Sequence, residues 1–174
     1  MRNTKKLALS ALIVAMGATF MVLGAVVEVL DLSVCALASL LVAFVYIEIG
    51  SPYTWLVWLC TTLAVVLIFP GNILWLEYLV IFGIYPIIKA YIERLPRWSW
   101  LILKLVFINA VIWLLILLTE LIFKLPFFDS DAFLIKALAY ALLNVAFVVY
   151  DYFITVMVRF YMLKLRPRFK NLLK

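Results

Sequence analysis

Asn109, Trp113 and Glu120 are separated by four and then seven residues, so an amide, an indole and a carboxylate share one face of any helix that carries them. Glu77, Asn72 and Asn144 would join that face from other segments if the chain crosses a bilayer several times. Two carboxylates beside an aromatic ring suit a cationic or hydrogen-bond-donating small molecule in an outward-facing pocket. The plainer alternative leaves Glu77 and Glu120 solvated among lipid headgroups. A second constellation, Asn144, Asp151 and Thr155, places an amide, a carboxylate and a hydroxyl on one side of a late apolar run. An ionised Asp at depth costs at least ~2.5–3.5 kcal/mol, so Asp151 must reach a cation, a cavity or the interface. Arg159, Lys89 and Lys104 are the candidate cations, and the pairing leaves both a structural and a functional role for Asp151 open. Lys89 and Glu93, one turn apart, read as a surface pair.

Other chemistry is missing from the chain. It contains no histidine, the commonest general base and metal ligand. None of its five glycines opens a phosphate-cradling G-x-x-x-x-G-K-[ST] loop. There is no G-x-S-x-G turn and no Cys-x-x-Cys. Cys35 and Cys60 lie inside apolar runs, where a thiol packs as a small hydrophobe. The expectation is a non-enzyme with no catalytic residue, no metal and no cofactor of its own.

These residues are set in a chain of 174 residues that is 70% apolar, with the apolar residues in long runs rather than amphipathic stripes. The formal charge of +6 does not point to nucleic acid, because the basic residues sit at the ends of apolar runs and there is no polar face to present them. The reading is all-α: a polytopic membrane protein built as one transmembrane domain over 1–174. Its partner is the lipid bilayer, and its place a multi-pass position in the cell membrane. Spans are expected near 7–29, 32–49, 52–69, 73–91, 98–123 and 132–163. They are separated by Glu28 and Asp31, Gly50-Ser51-Pro52, Pro70-Gly71-Asn72, Arg94-Leu95-Pro96-Arg97 and the segment from Pro126 to Asp131. The first run follows a basic start but is too long for a secretory signal and has no cleavage site after it, so it counts as a helix.

Alternating the sides of six spans gathers Arg2, Lys5, Lys6, Lys89, Arg94, Arg97, Arg159, Lys164, Arg166, Arg168, Lys170 and Lys174 on one face, with Lys104 snorkelling toward it. Only Lys124 and Lys136 fall on the other, where Glu28, Asp31, Glu77, Glu120, Asp129 and Asp131 collect. The positive-inside rule then puts both termini in the cytoplasm. Trp75, Trp98 and Trp100 sit at span ends, whereas Trp58 and Trp113 do not and face either lipid, the default, or a pocket.

In the first span Ala8, Ala11, Ala15, Ala18 and Ala25 form a small-residue stripe, the kind of face on which another helix backbone approaches closely. It serves either packing within the chain or docking of a separate membrane subunit. Ala36, Ser39, Ala43, Tyr46 and Gly50 repeat the device in the second span; if the two stripes face each other, the first serves internal packing rather than docking. In the fourth span Tyr78, Phe82, Tyr85 and Lys89 share a side, and Pro86 should kink the helix, freeing a carbonyl that needs a new donor.

The start Thr4-Lys5-Lys6-Leu7-Ala8-Leu9-Ser10-Ala11-Leu12-Ile13-Val14-Ala15, a basic terminus running into an alanine-faced helix in a short six-span chain, resembles the S components of energy-coupling factor transporters. The resemblance implies a subunit that captures a small-molecule micronutrient. It would dock through the Ala11 and Ala15 face onto a transmembrane coupling subunit and be driven by two cytoplasmic ATPases. The chain carries no ligand motif of the vitamin-specific members. In size, span number and poverty of catalytic residues it is also similar to MreD-type scaffold proteins of the bacterial cell-shape machinery, which act through contacts in the membrane.

Overall fold

The computed structural model describes residues 3–124 and 133–169. Its helices are α1 (Asn3–Val26), α2 (Asp31–Glu48), α3 (Ser51–Ile68), α4 (Leu74–Ile92), α5 (Arg97–Phe123) and α6 (Phe133–Phe160). All six are long and apolar enough to cross a bilayer, and no strand occurs among the described residues. The chain is a multi-pass, all-α membrane protein. Arg2, Asp129, Asp131, Lys170 and Lys174 lie outside the described residues.

Local chemistry sets the ends of the helices. A 3₁₀ turn, Glu28–Leu30, carries α1 into α2, so α1 ends at Val26 rather than near Val29. Gly50 has φ +106, a left-handed conformation that a side chain would strain, and Pro52 then starts α3 where a missing N–H costs nothing. The Asn72 side-chain oxygen accepts the Leu74 N–H at 2.8 Å and opens α4. The last helix continues past Phe160 through a π-turn, Tyr161–Leu165, into Arg166–Phe169, and it is tied back to the end of α2. There Arg166 Nε pairs with Glu48 at 2.9 Å, and the Tyr161 hydroxyl donates to the same carboxylate at 3.1 Å.

Antiparallel alternation brings the start of α1, the ends of α2, α4 and α6 and the starts of α3 and α5 to one end of the bundle. Contacts confirm the grouping: Lys6 lies over the Tyr53 ring at 5.9 Å, and Arg94 donates to the Tyr46 hydroxyl at 2.9 Å. This is the basic end.

α1 packs on α2 and α3 through Ser10, Ile13, Gly17, Met21 and Gly24, which are buried. The contact face is therefore offset from the alanine stripe. Ala8, Ala11 and Ala15 are exposed and Ala18 and Ala25 half-buried, whereas Ser39 and Ala43 of α2 are buried, so the two stripes do not face each other. Close approach on the inner face comes from the glycines: a Cβ on Gly17 would lie 3.2 Å from Thr61, and one on Gly24 3.2 Å from Val34. Cys35 is buried against Met21, while Cys60 is on the outer surface.

The interruption in α4 is broader than a proline kink. Residues Tyr78–Phe82 form a π-turn closed by Gly83 N–H to Tyr78 O at 2.7 Å, and regular helix resumes at Tyr85. Pro86 has no N–H for the Phe82 carbonyl, and the Tyr150 hydroxyl from α6 supplies the donor at 3.2 Å. The Trp58 indole, whose default from the sequence is lipid, instead turns inward and donates to the Leu79 carbonyl at 3.2 Å. Gly83 makes room for it, since a Cβ there would lie 2.4 Å from Trp58 Cδ1. Gly83→Ala is expected to lower stability by about 1–3 kcal/mol. Combined with Trp58→Leu, the loss should be well below additive in thermal unfolding of the detergent-extracted protein.

Candidate functional site

Four charged side chains from three helices meet one to two turns inside the basic end. Lys89 Nζ donates to Asp151 Oδ1, to the Asp151 carbonyl at 3.2 Å and to Thr155 Oγ1 at 2.8 Å, and it lies 3.1 Å from Glu93 Oε1. Lys104 Nζ reaches Glu93 at 3.1 Å and Asp151 Oδ2 at 2.9 Å. The Tyr85 hydroxyl donates to Asp151 Oδ1 at 2.6 Å. Two cations and two anions thus alternate in a neutral quartet joining α4, α5 and α6. Asp151 finds Lys89 and Lys104 as its cations. Lys89–Glu93 is not a surface pair, because Lys89 is only 5% exposed. Lys104 reaches back toward the basic end, its Nζ 5.9 Å from the centroid of the Trp100 ring. A cleft of about 250 Å³ between α2, α4 and α6 reaches this cluster from the basic end, lined by Tyr46, Lys89, Glu93, Thr155 and Arg159 among others.

Next to the quartet lies a layer of aromatic rings. Tyr85 contacts Phe147 edge-on at 4.7 Å, Tyr150 at 5.5 Å and Phe107 at 5.7 Å, and Phe82 contacts Tyr150 edge-on at 4.9 Å. Their spacing and tilt are those of favourable aromatic pairs. On the far side of this layer a cavity of about 530 Å³ opens between α2, α4, α5 and α6. Phe82, Phe147 and Tyr150 form its floor, Ile108 and Ile112 its back, and Glu77 and Ser33 are its polar groups. Such a size and lining are typical of small-molecule sites. The cavity exists because the outer half of α6 stands away from the bundle: Phe147, Tyr150 and Ile154 are buried, but nothing from Lys136 to Ala146 is.

Of the five residues proposed from sequence to touch a ligand, Glu77 lines this cavity. Asn109, Trp113, Glu120 and Asn144 are not among its lining residues. Asn109 accepts the Tyr140 hydroxyl and donates to the Leu105 carbonyl at 2.7 Å, so it joins α5 to α6. Asn144 donates to the Tyr140 carbonyl at 3.0 Å. Trp113 is 55% exposed, on the outer surface of α5, and Glu120 is half-buried near the end of that helix. Asn72 accepts the Leu74 N–H just before α4. Phe147 and Ser33 were not singled out from the sequence. The signal for the floor was the spacing of Phe147, Tyr150 and Ile154, three and four apart on the face that also carries Asp151.

Among the described residues no group of three or more His, Cys, Asp or Glu side chains is placed to hold a metal ion. Compared with protein-family models, with curated proteins and with solved structures, the chain matches none.

Removing one member of a buried ion cluster leaves the others uncompensated, which costs more than removing a balanced pair. Asp151→Asn is expected to destabilise the protein by roughly 3 kcal/mol. The double variant Lys89→Gln, Asp151→Asn keeps an acceptor for Tyr85 and restores charge balance. It should recover much of that loss in thermal unfolding, and no recovery would show that Lys89 is not the counter-ion that matters.

Proposed function

We propose that the protein is a substrate-capture subunit of a small-molecule uptake transporter, not itself an enzyme, and powered by separate cytoplasmic ATPases through a transmembrane coupling subunit. The observation that carries this reading is the cavity of about 530 Å³ in the half of the bundle opposite the basic end. With Lys5, Lys6, Arg94, Arg97, Arg159, Lys164 and Arg166 all at that basic end, the positive-inside rule makes it the cytoplasmic face. The cavity then lies in the outer half of a plasma-membrane protein whose two termini are cytoplasmic.

The face for the coupling subunit is Ala8, Ala11 and Ala15 with Ala18 at its edge. It is small-residued, flat and not used for packing within the chain. That face would equally suit a non-catalytic scaffold of the MreD type; the cavity favours capture, because a scaffold has no use for an internal space of ligand size. An S-component relationship accounts for the basic, alanine-faced α1, the six spans and the cavity together.

Ala11→Trp and Ala15→Trp, at exposed positions, are expected to leave thermal unfolding unchanged and to abolish copurification of a membrane partner after gentle detergent extraction. Association that survives both substitutions removes the docking face. Native mass spectrometry of the same preparation is expected to show a bound small molecule, whereas partner without ligand would favour the scaffold.

A further inference from the structure

We infer that the cavity takes a single-chain amphiphile with a cationic amine head, which reaches it sideways from the bilayer rather than from water; this rests on the capture reading and names its substrate class. The walls decide the route of access. On α2 Leu32, Ser33 and Leu37 are exposed, and on α6 Leu143, Ala146 and Val149 are exposed, whereas the α5 back wall, Ile108 and Ile112, is buried. The cavity is therefore a cleft whose mouth runs between α2 and α6, along a surface that faces hydrocarbon. On the other flank the Tyr140 to Asn109 hydrogen bond holds α6 to α5.

Polarity is graded along the cleft. Its polar groups near the outer end are Glu77, in the first turn of α4, and Ser33, in the first turn of α2. Among the described residues Glu77 is the one charged side chain in the lining, and Ser33 is the polar group that shares it. From there the lining is aliphatic and aromatic down to Phe153, and the α6 wall from Leu143 to Phe153 is about 15 Å long at the rise of an α-helix. A carboxylate at headgroup depth above an apolar slot is complementary to a cationic head with a hydrocarbon tail. An ionised Glu77 at the mouth would repel a fatty acid and a phospholipid's phosphate alike.

The test uses the full-length protein in phosphatidylcholine nanodiscs and three photoactivatable probes with the same diazirine-bearing twelve-carbon tail, ending in a primary amine, an alcohol or a carboxylate. Irradiation should attach the amine probe to the α6 wall, at Leu143, Ala146 or Val149, as read by peptide mass spectrometry. The carboxylate probe should stay at background. Glu77→Gln should lower amine labelling at least about tenfold. Ala146→Trp, which fills the mouth without touching charge, should block it while thermal unfolding stays unchanged. Equal labelling by all three probes, or amine labelling indifferent to Glu77→Gln, overturns the inference, since the cleft then holds bulk lipid. Amine labelling in a protein that copurifies with no membrane partner, or whose partner is retained in Ala11→Trp, would sink the transporter assignment alone. A copurified partner with no amine preference would sink the ligand class alone.

Discussion

A charge buried in hydrocarbon must find its opposite on a neighbouring helix, and Lys89, Glu93, Lys104 and Asp151 meet that constraint together. In lipid there is no hydrophobic force to hold α4, α5 and α6 together, since tails and leucines are equally apolar. The quartet supplies the missing specificity. Sliding any of the three helices by one turn would strand a lysine or a carboxylate, so their register is fixed. The aromatic layer is registered in turn, because Tyr85 belongs both to it and, through its hydroxyl, to the quartet. The cavity rests on that layer, with Phe147 and Tyr150 as its floor.

The same economy governs the damaged stretch of α4. A π-turn followed by a proline leaves backbone carbonyls that lipid cannot satisfy, and a membrane helix tolerates this only where side chains from other helices replace the lost donors. Trp58 of α3 and Tyr150 of α6 do so from opposite sides. Tyr150 thus works twice, as a donor to the broken helix and as part of the cavity floor. α4 is held by interactions with α3, α5 and α6 rather than by its own ladder alone, which makes it the most interdependent element of the bundle.

Six helices were legible because the signal for each is local: an apolar run of membrane length between turn residues, checked by the distribution of lysine and arginine. The partners of Asp151 were legible too, because few cations were at hand and the cost of an isolated carboxylate demanded one. What the sequence concealed was which side of each helix faces inward. With apolar residues all round, periodicity carries little information, and the alanine stripe of α1 and the inner glycine face differ by only a fraction of a turn. Of the residues expected to rim an outer pocket, the cavity lining includes Glu77 but not Asn109 or Asn144, for the same reason. Asn109 and Asn144 are spaced like ligand groups, but Asn109 accepts from Tyr140 across the α5–α6 seam and Asn144 bonds back to its own helix, while Phe147 and Tyr150, unremarkable in an aromatic-rich chain, form the floor. The lipid default failed for Trp58 because its acceptor arises from an irregular turn in another helix, a partner invisible in its own run.

The charge balance of the quartet also bears on membrane voltage. An uncompensated elementary charge crossing the membrane field gains or loses ~2.3 kcal/mol per 100 mV, enough to make its position follow the potential. Two lysines and two carboxylates that travel as one neutral body gain nothing. A shift of this cluster as one unit would therefore carry no net charge through the membrane field.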